Sequence, residues 1–104
     1  MLFVETRIFT QQAAALLDDE DLRGLQNLLL EKPNRGAVVS GTGGLRKLRL
    51  ALPGRGKRGG ARVIYCWQDD QDRIFFFLIY PKSAKDDLTP NEKTILKQLV
   101  KELS

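Results

Sequence analysis

The stretch RIFFFLIY, residues 73–80, is apolar or aromatic at every position after Arg73. It is bounded by the turn-forming DDQD at 69–72 and by Pro81, so it is too short for an ordinary helix. It also lacks the alternation of a strand with one wet face. It predicts a central strand covered on both sides. ARVIYCWQ, residues 61–68, is rich in β-branched and aromatic residues and reads as its neighbour. From Lys47 to Leu52 the chain alternates, with Lys47 and Arg49 facing one way and Leu48, Leu50 and Leu52 the other. PGRGKRGG at 53–60 is a hairpin loop between these last two strands. Tight turns join neighbours, so the three runs predict an antiparallel meander.

Helices flank this meander. Residues 2–8, LFVETRI, read as a short first strand, followed by Thr10 as a helix N-cap with Phe9 as its staple. Ala13, Ala14, Leu16 and Leu17 then make one short amphipathic helix. The acids DDED at 18–21 open a second, whose Leu22, Leu25, Leu28 and Leu29 share a face until Pro33, Asn34 and Gly36 stop it. TPNE at 89–92 announces a last helix, with Thr89 as N-cap, Pro90 at the first helical position and Glu92 closing a capping box. Ile95, Leu96, Leu99, Val100 and Leu103 fall on one side of that helix, and Lys93, Lys97 and Lys101 on the other. The order β-α-α-β-β-β-α predicts a single α+β domain over residues 1–104. It consists of a small twisted antiparallel sheet, two N-terminal helices packed on it and a C-terminal helix.

The charge is unevenly placed. From Lys32 to Gln68 there are nine basic residues and no acid, while the rest of the chain holds eight basic residues and all thirteen acids. A basic middle between acidic ends is the footprint of a surface facing a polyanion, with nucleic acid the foremost candidate. There is no histidine, which removes the commonest general base and metal ligand. The lone Cys66 cannot form an internal disulfide or a cysteine-rich metal site. Neither a metal nor an organic cofactor is expected. No run approaches the roughly 18 apolar residues of a membrane span, and Glu5 and Arg7 interrupt the N-terminus where a signal peptide is apolar. A cytoplasmic protein with no membrane partner is the expectation.

Familiar motifs are weak here. GRGKRG at 54–59 has the spacing of a dinucleotide-binding turn but joins two strands, and Arg58 stands where a phosphate-binding loop needs Ser or Thr. The acids sit at a helix start and in a turn, both ordinary structural uses. The basic set carries more. Lys47, Arg49, Lys57 and Arg62 come from two adjacent strands and their loop, and Tyr80 and Lys82 from the end of the third. Arg46 and Arg58 belong to the same stretch and are candidate phosphate contacts. Such a cluster can bind RNA, or it can cleave it. In the second case a 2′-hydroxyl attacks its own 3′-phosphate, a lysine among other cations takes the proton, and arginines stabilise the growing negative charge. Residue types alone leave both open.

GTGGLRKLRL, GRGKRGGARVIYCW and RIFFFLIYPKSAKDDLTPNE together resemble the HigB branch of the RelE/ParE toxin superfamily, over nearly the whole chain. The resemblance implies a type II toxin–antitoxin toxin that cuts mRNA in the ribosomal A site. Its partners would be the ribosome, mRNA and a HigA-type helix-turn-helix antitoxin that links it indirectly to DNA. It implies that Arg62 stabilises the scissile phosphate, that Lys47 and Arg49 supply base and phosphate-binding functions, and that Lys57 and Lys82 complete the basic set; Tyr80 joins the catalytic candidates from its place at the strand end alone. Several relatives carry a tyrosine in the C-terminal segment. The matching region around Leu88 and Thr89 has none, leaving Tyr80 as the aromatic candidate. The alternatives are a gyrase poison of the ParE type and a non-nuclease that only joins its antitoxin as co-repressor.

Overall fold

A computed structural model describes residues 1–53, 59–85 and 87–103. In chain order they form β1 (Leu2–Glu5), α1 (Arg7–Leu16), α2 (Asp19–Glu31), β2 (Ala37–Val38), β3 (Arg46–Leu50), β4 (Ala61–Gln68), β5 (Arg73–Pro81) and α3 (Pro90–Glu102). One short 3₁₀ turn, Asp69–Gln71, lies between β4 and β5. The five strands make one sheet in the order β1-β5-β4-β3-β2. The α+β class, the β3–β4–β5 meander, the helical pair and the C-terminal helix are as the sequence predicts.

The sheet is mixed rather than wholly antiparallel, because β1 pairs parallel to β5 along Leu2–Glu5 and Arg73–Phe76. The direction of β1 is not set by a hairpin, since both helices and three strands separate it from its neighbour. It is held instead by backbone bonds at its two ends, from Leu2 N–H to Asp72 O and from Thr6 N–H to Phe76 O, each 3.0 Å. The first helix also starts earlier than predicted. Thr6, not Thr10, is its N-cap, accepting from Phe9 N–H at 3.0 Å and donating to Phe77 O at 2.8 Å. The earlier start puts Phe9 and Ala13 one turn apart on the buried face, with the Phe9 ring stacked 4.7 Å from that of Phe76. β2 was not foreseen and consists of two residues paired to the start of β3.

Two apolar layers sandwich the sheet. On one side α1 and α2 cover Leu48, Leu50, Val63, Tyr65, Ile74, Phe76 and Ile79. On the other, α3 brings Leu96 against Leu45, Ile64, Cys66 and Phe77. α2 is capped by the reciprocal Asp18–Asp21 box, and α3 by Thr89 and Glu92 with Pro90 in its first turn. The Tyr65 hydroxyl, wholly buried, donates to Pro33 O at 2.7 Å and accepts from Gly36 N–H at 2.9 Å, tying the exit of α2 to the sheet.

One irregularity decides how β5 faces its surroundings. Ile64 is opposite Leu78 and Tyr65 is opposite Phe76, so Phe77 is the extra residue of a β-bulge. Among the described residues, the outer edge of β5 beyond β1 has no strand partner. The Thr6 hydroxyl takes up Phe77 O there, and the Gln12 side-chain oxygen accepts Ile79 N–H at 3.0 Å. Strict alternation from Phe75 would point Tyr80 toward α1 and α2. The bulge turns it to the α3 side.

Candidate nucleic-acid interface

Three polar side chains line up across the sheet. Arg62 on β4 is directly opposite Arg49 on β3 and directly opposite Tyr80 on β5. Directly opposed residues project to the same face, about 5 Å apart at Cβ. Lys47 stands one row further along on the same face, opposite Ile64. This is the face on which α3 packs, and Tyr80 belongs to the same apolar cluster as Leu96 of that helix.

Arg62 is the centre of the row and is only 3% exposed. Its guanidinium donates through Nη1 to Gly59 O at 3.0 Å and to Ala61 O at 3.2 Å. A guanidinium keeps its charge under all ordinary conditions, so a fixed cation lies within the sheet, held by the chain's own carbonyls. The Gly59–Gly60 entry to β4 is built for this. Both residues are left-handed, φ +78° and +67°, and a Cβ on Gly60 would come within 2.1 Å of Leu50 O. A Cβ on Gly59 would meet Lys82 Cδ at 2.6 Å, so the Lys82 stem lies directly against the glycine whose carbonyl holds Arg62. The Lys82 N–H donates to Gly60 O at 3.1 Å, which fixes that closeness.

Tyr80 is almost fully buried, and Lys85 Nζ sits 5.0 Å from its ring centroid, in cation–π range. Lys85 is also ion-paired with Glu92, whose other carboxylate oxygen accepts Thr89 N–H in the α3 cap at 2.9 Å. The Lys85 hydrogen bond, then the Thr89 backbone bond, hold the Glu92 carboxyl below its usual value. Lys47 Nζ meets Asp87 at 2.5 Å, and this hydrogen bond, followed by the lysine's charge, lowers the Asp87 carboxyl in the same way.

The structure therefore gathers Lys47, Arg49, Arg62 and Tyr80 on one face, with Lys82 beside the Gly59 turn. It does not bring Arg46 to them. Arg46 pairs with Tyr65, on the opposite face, and donates to Gly36 O at 2.8 Å and to Asn34 O at 3.3 Å. It closes the turn after α2, because one step along a strand reverses the direction of the side chain. Lys57 and Arg58 lie outside the described residues. Lys85, Asp87 and Glu92 were missed as site neighbours. Lys85 stands only three positions past Lys82, and by its spacing from Thr89 Glu92 signals a helix cap alone.

Residues 4–104 match the family described as the RelE toxin of the RelE/RelB toxin–antitoxin system. The chain belongs to the RelE toxin family. Membership makes it a toxin of a toxin–antitoxin system and implies a cognate antitoxin, and RelE family toxins are generally translation-inhibiting ribonucleases. In this RelE family protein, two guanidiniums, a phenol and nearby ammonium groups occupy the ground between β3, β4 and β5. Among the described residues no helix is long and apolar enough to cross a membrane.

Proposed function

We propose that this RelE family toxin is a ribosome-dependent mRNA endonuclease of the HigB branch, working in the cytoplasm. It would cut mRNA in the ribosomal A site by attack of a 2′-hydroxyl on the adjacent phosphate. The observation that carries the reading is the cross-strand row Arg49–Arg62–Tyr80, in a chain without histidine. In the attack the 2′-oxygen bonds to phosphorus, the 5′-oxygen leaves, and negative charge grows on the two non-bridging oxygens. Arg62 is buried and already oriented, so it stabilises that charge without reorganising. Arg49, in the same row but exposed, is suited to the neighbouring phosphate. Lys47 and Lys82 flank the row as the candidates for accepting the 2′-proton, with Lys57 the third from the loop. Tyr80 sets the floor against which the nucleotide is oriented. A HigA-type antitoxin with a helix-turn-helix domain is the proposed partner, carrying the complex to DNA.

The test is primer extension on a defined mRNA in a translating extract, comparing wild type with Arg62→Met. Cuts in the coding frame that need both ribosomes and Arg62 support the reading. Growth arrest without cuts, from folded protein, overturns it in favour of gyrase or another target.

A further inference from the structure

Helix α3 carries Lys93, Lys97 and Lys101 at intervals of four, with no acid between the first and the last. Like charges at that spacing repel and cost a helix a few tenths of a kcal/mol per pair. A merely solvated face more often mixes signs and gains from i,i+4 pairs. The stripe is also continuous with the cross-strand row. α3 packs on the same side of the sheet as Lys47, Arg49 and Arg62, through Leu96 against Ile64 and Cys66. At its start, Lys93 and Lys47 both act electrostatically on Asp87. Further along, a Cβ on Gly43 would lie 3.9 Å from Lys97 Cγ, which puts that lysine beside the turn leading into β3. Lys97 and Lys101 are exposed, and neither joins an ion pair among the described residues. From Lys93 to Lys101 the helix rises about 12 Å.

We infer that this stripe is a track for the backbone of the substrate RNA. A strand whose reactive phosphate sits at Arg62 continues past Lys47 and lays its flanking phosphates along Lys93, Lys97 and Lys101. The occupant follows from charge complementarity, a helical row of one sign that meets, across the single carboxylate of Asp87, a site that itself takes a phosphate. The inference rests on the proposed RNA reading of the Arg62 row and adds the path of the strand beyond the reacting nucleotide.

The experiment is fluorescence anisotropy with two labelled single strands carrying 2′-O-methyl groups, which cannot be cut. One has about four nucleotides and the other about fourteen. Each is titrated over a range of salt with wild type, Lys97→Gln/Lys101→Gln and Arg62→Met. The double variant alters exposed positions only, and circular dichroism checks its fold. For the long strand its slope of log affinity against log salt is expected to be shallower by about 1.4, two lost phosphate contacts. For the short strand the slope is expected to stay at the wild-type value. An unchanged long-strand slope overturns the track, and so does an equal loss on both strands. Loss of ribosome sedimentation with an unchanged long-strand slope overturns it in favour of ribosomal RNA as the stripe's partner. Arg62→Met on the short strand reports on the RNA reading separately. If wild type binds neither strand, that reading and the track fail together.

Discussion

The ammonium of Lys47 and the carboxylate of Asp87 meet at 2.5 Å, though forty residues separate them in the chain. An acid from the segment before α3 thus sits where a phosphate oxygen would otherwise find a lysine.

Asp87→Asn is expected to strengthen RNA binding. Asp87 is exposed, so the gain is modest, roughly two- to fivefold at low salt, and fades as salt screens both partners. Anisotropy titrations at low and high ionic strength check it, and weaker binding at low salt would contradict an internal competitor.

Arg62→Met is expected to lower activity by about a hundredfold or more while changing stability by no more than about 1 kcal/mol. The variant sheds the desolvation cost of a buried charge but leaves Gly59 O and Ala61 O without their donor, and the two effects oppose each other. Removing one preorganised charge from a reacting phosphate lowers rates by about a hundredfold or more. Urea denaturation and single-turnover cleavage on ribosomes read the two effects apart.

Glu92→Gln is expected to destabilise the fold by a few tenths of a kcal/mol to about 1 kcal/mol at neutral pH, through the lost charge pairing with Lys85, because a glutamine can still accept Thr89 N–H in the cap. The folded-state carboxyl is held low, so its contribution is present above the unfolded value, about 4.3, and disappears as pH falls through the folded value. Wild type and variant should therefore converge in acid. A gap that stays constant down to pH about 2 would show that ionisation is not its source.

Tyr65→Phe removes one hydroxyl that serves both Pro33 and Gly36, at a cost of about 1–3 kcal/mol. Burial, the largest influence, raises this phenol in the folded state, so its contribution is present below the unfolded value, about 10, and is lost as pH rises beyond it. Wild type should lose stability faster than the variant above that pH, as thermal melts across the alkaline range would show.

Much of this arrangement was legible in the sequence, and the gaps have physical reasons. Lys47 to Leu52 alternate, so the basic face of β3 and its partner core face were readable from spacing alone. Thr89, Pro90 and Glu92 fixed the start of α3 locally. Thr6 and Thr10 are both competent caps. The choice between them is made by Phe9 packing on Phe76, a contact between distant segments. Arg46 sits in the same basic run as Lys47, and only the register with Tyr65 sends it to the opposite side. The parallel direction of β1 depends on backbone bonds to Asp72 and Phe76 that no local pattern encodes. Nor does local composition pair Lys47 with Asp87, which lie forty positions apart and meet only through the tertiary fold.

The extra residue at Phe77 separates two properties of β5 that usually go together, its length and its phase. The start of the strand is timed by β1 and the end by Arg62, and the bulge absorbs the difference between the two clocks. A chain lacking Phe77 would pair regularly throughout and still present Tyr80 to Arg62. A chain that kept every residue but flattened the bulge would show Ile79 there instead. The Arg49–Arg62–Tyr80 row is thus indifferent to the number of residues in β5 and sensitive only to the ladder register in which the strand reaches Arg62.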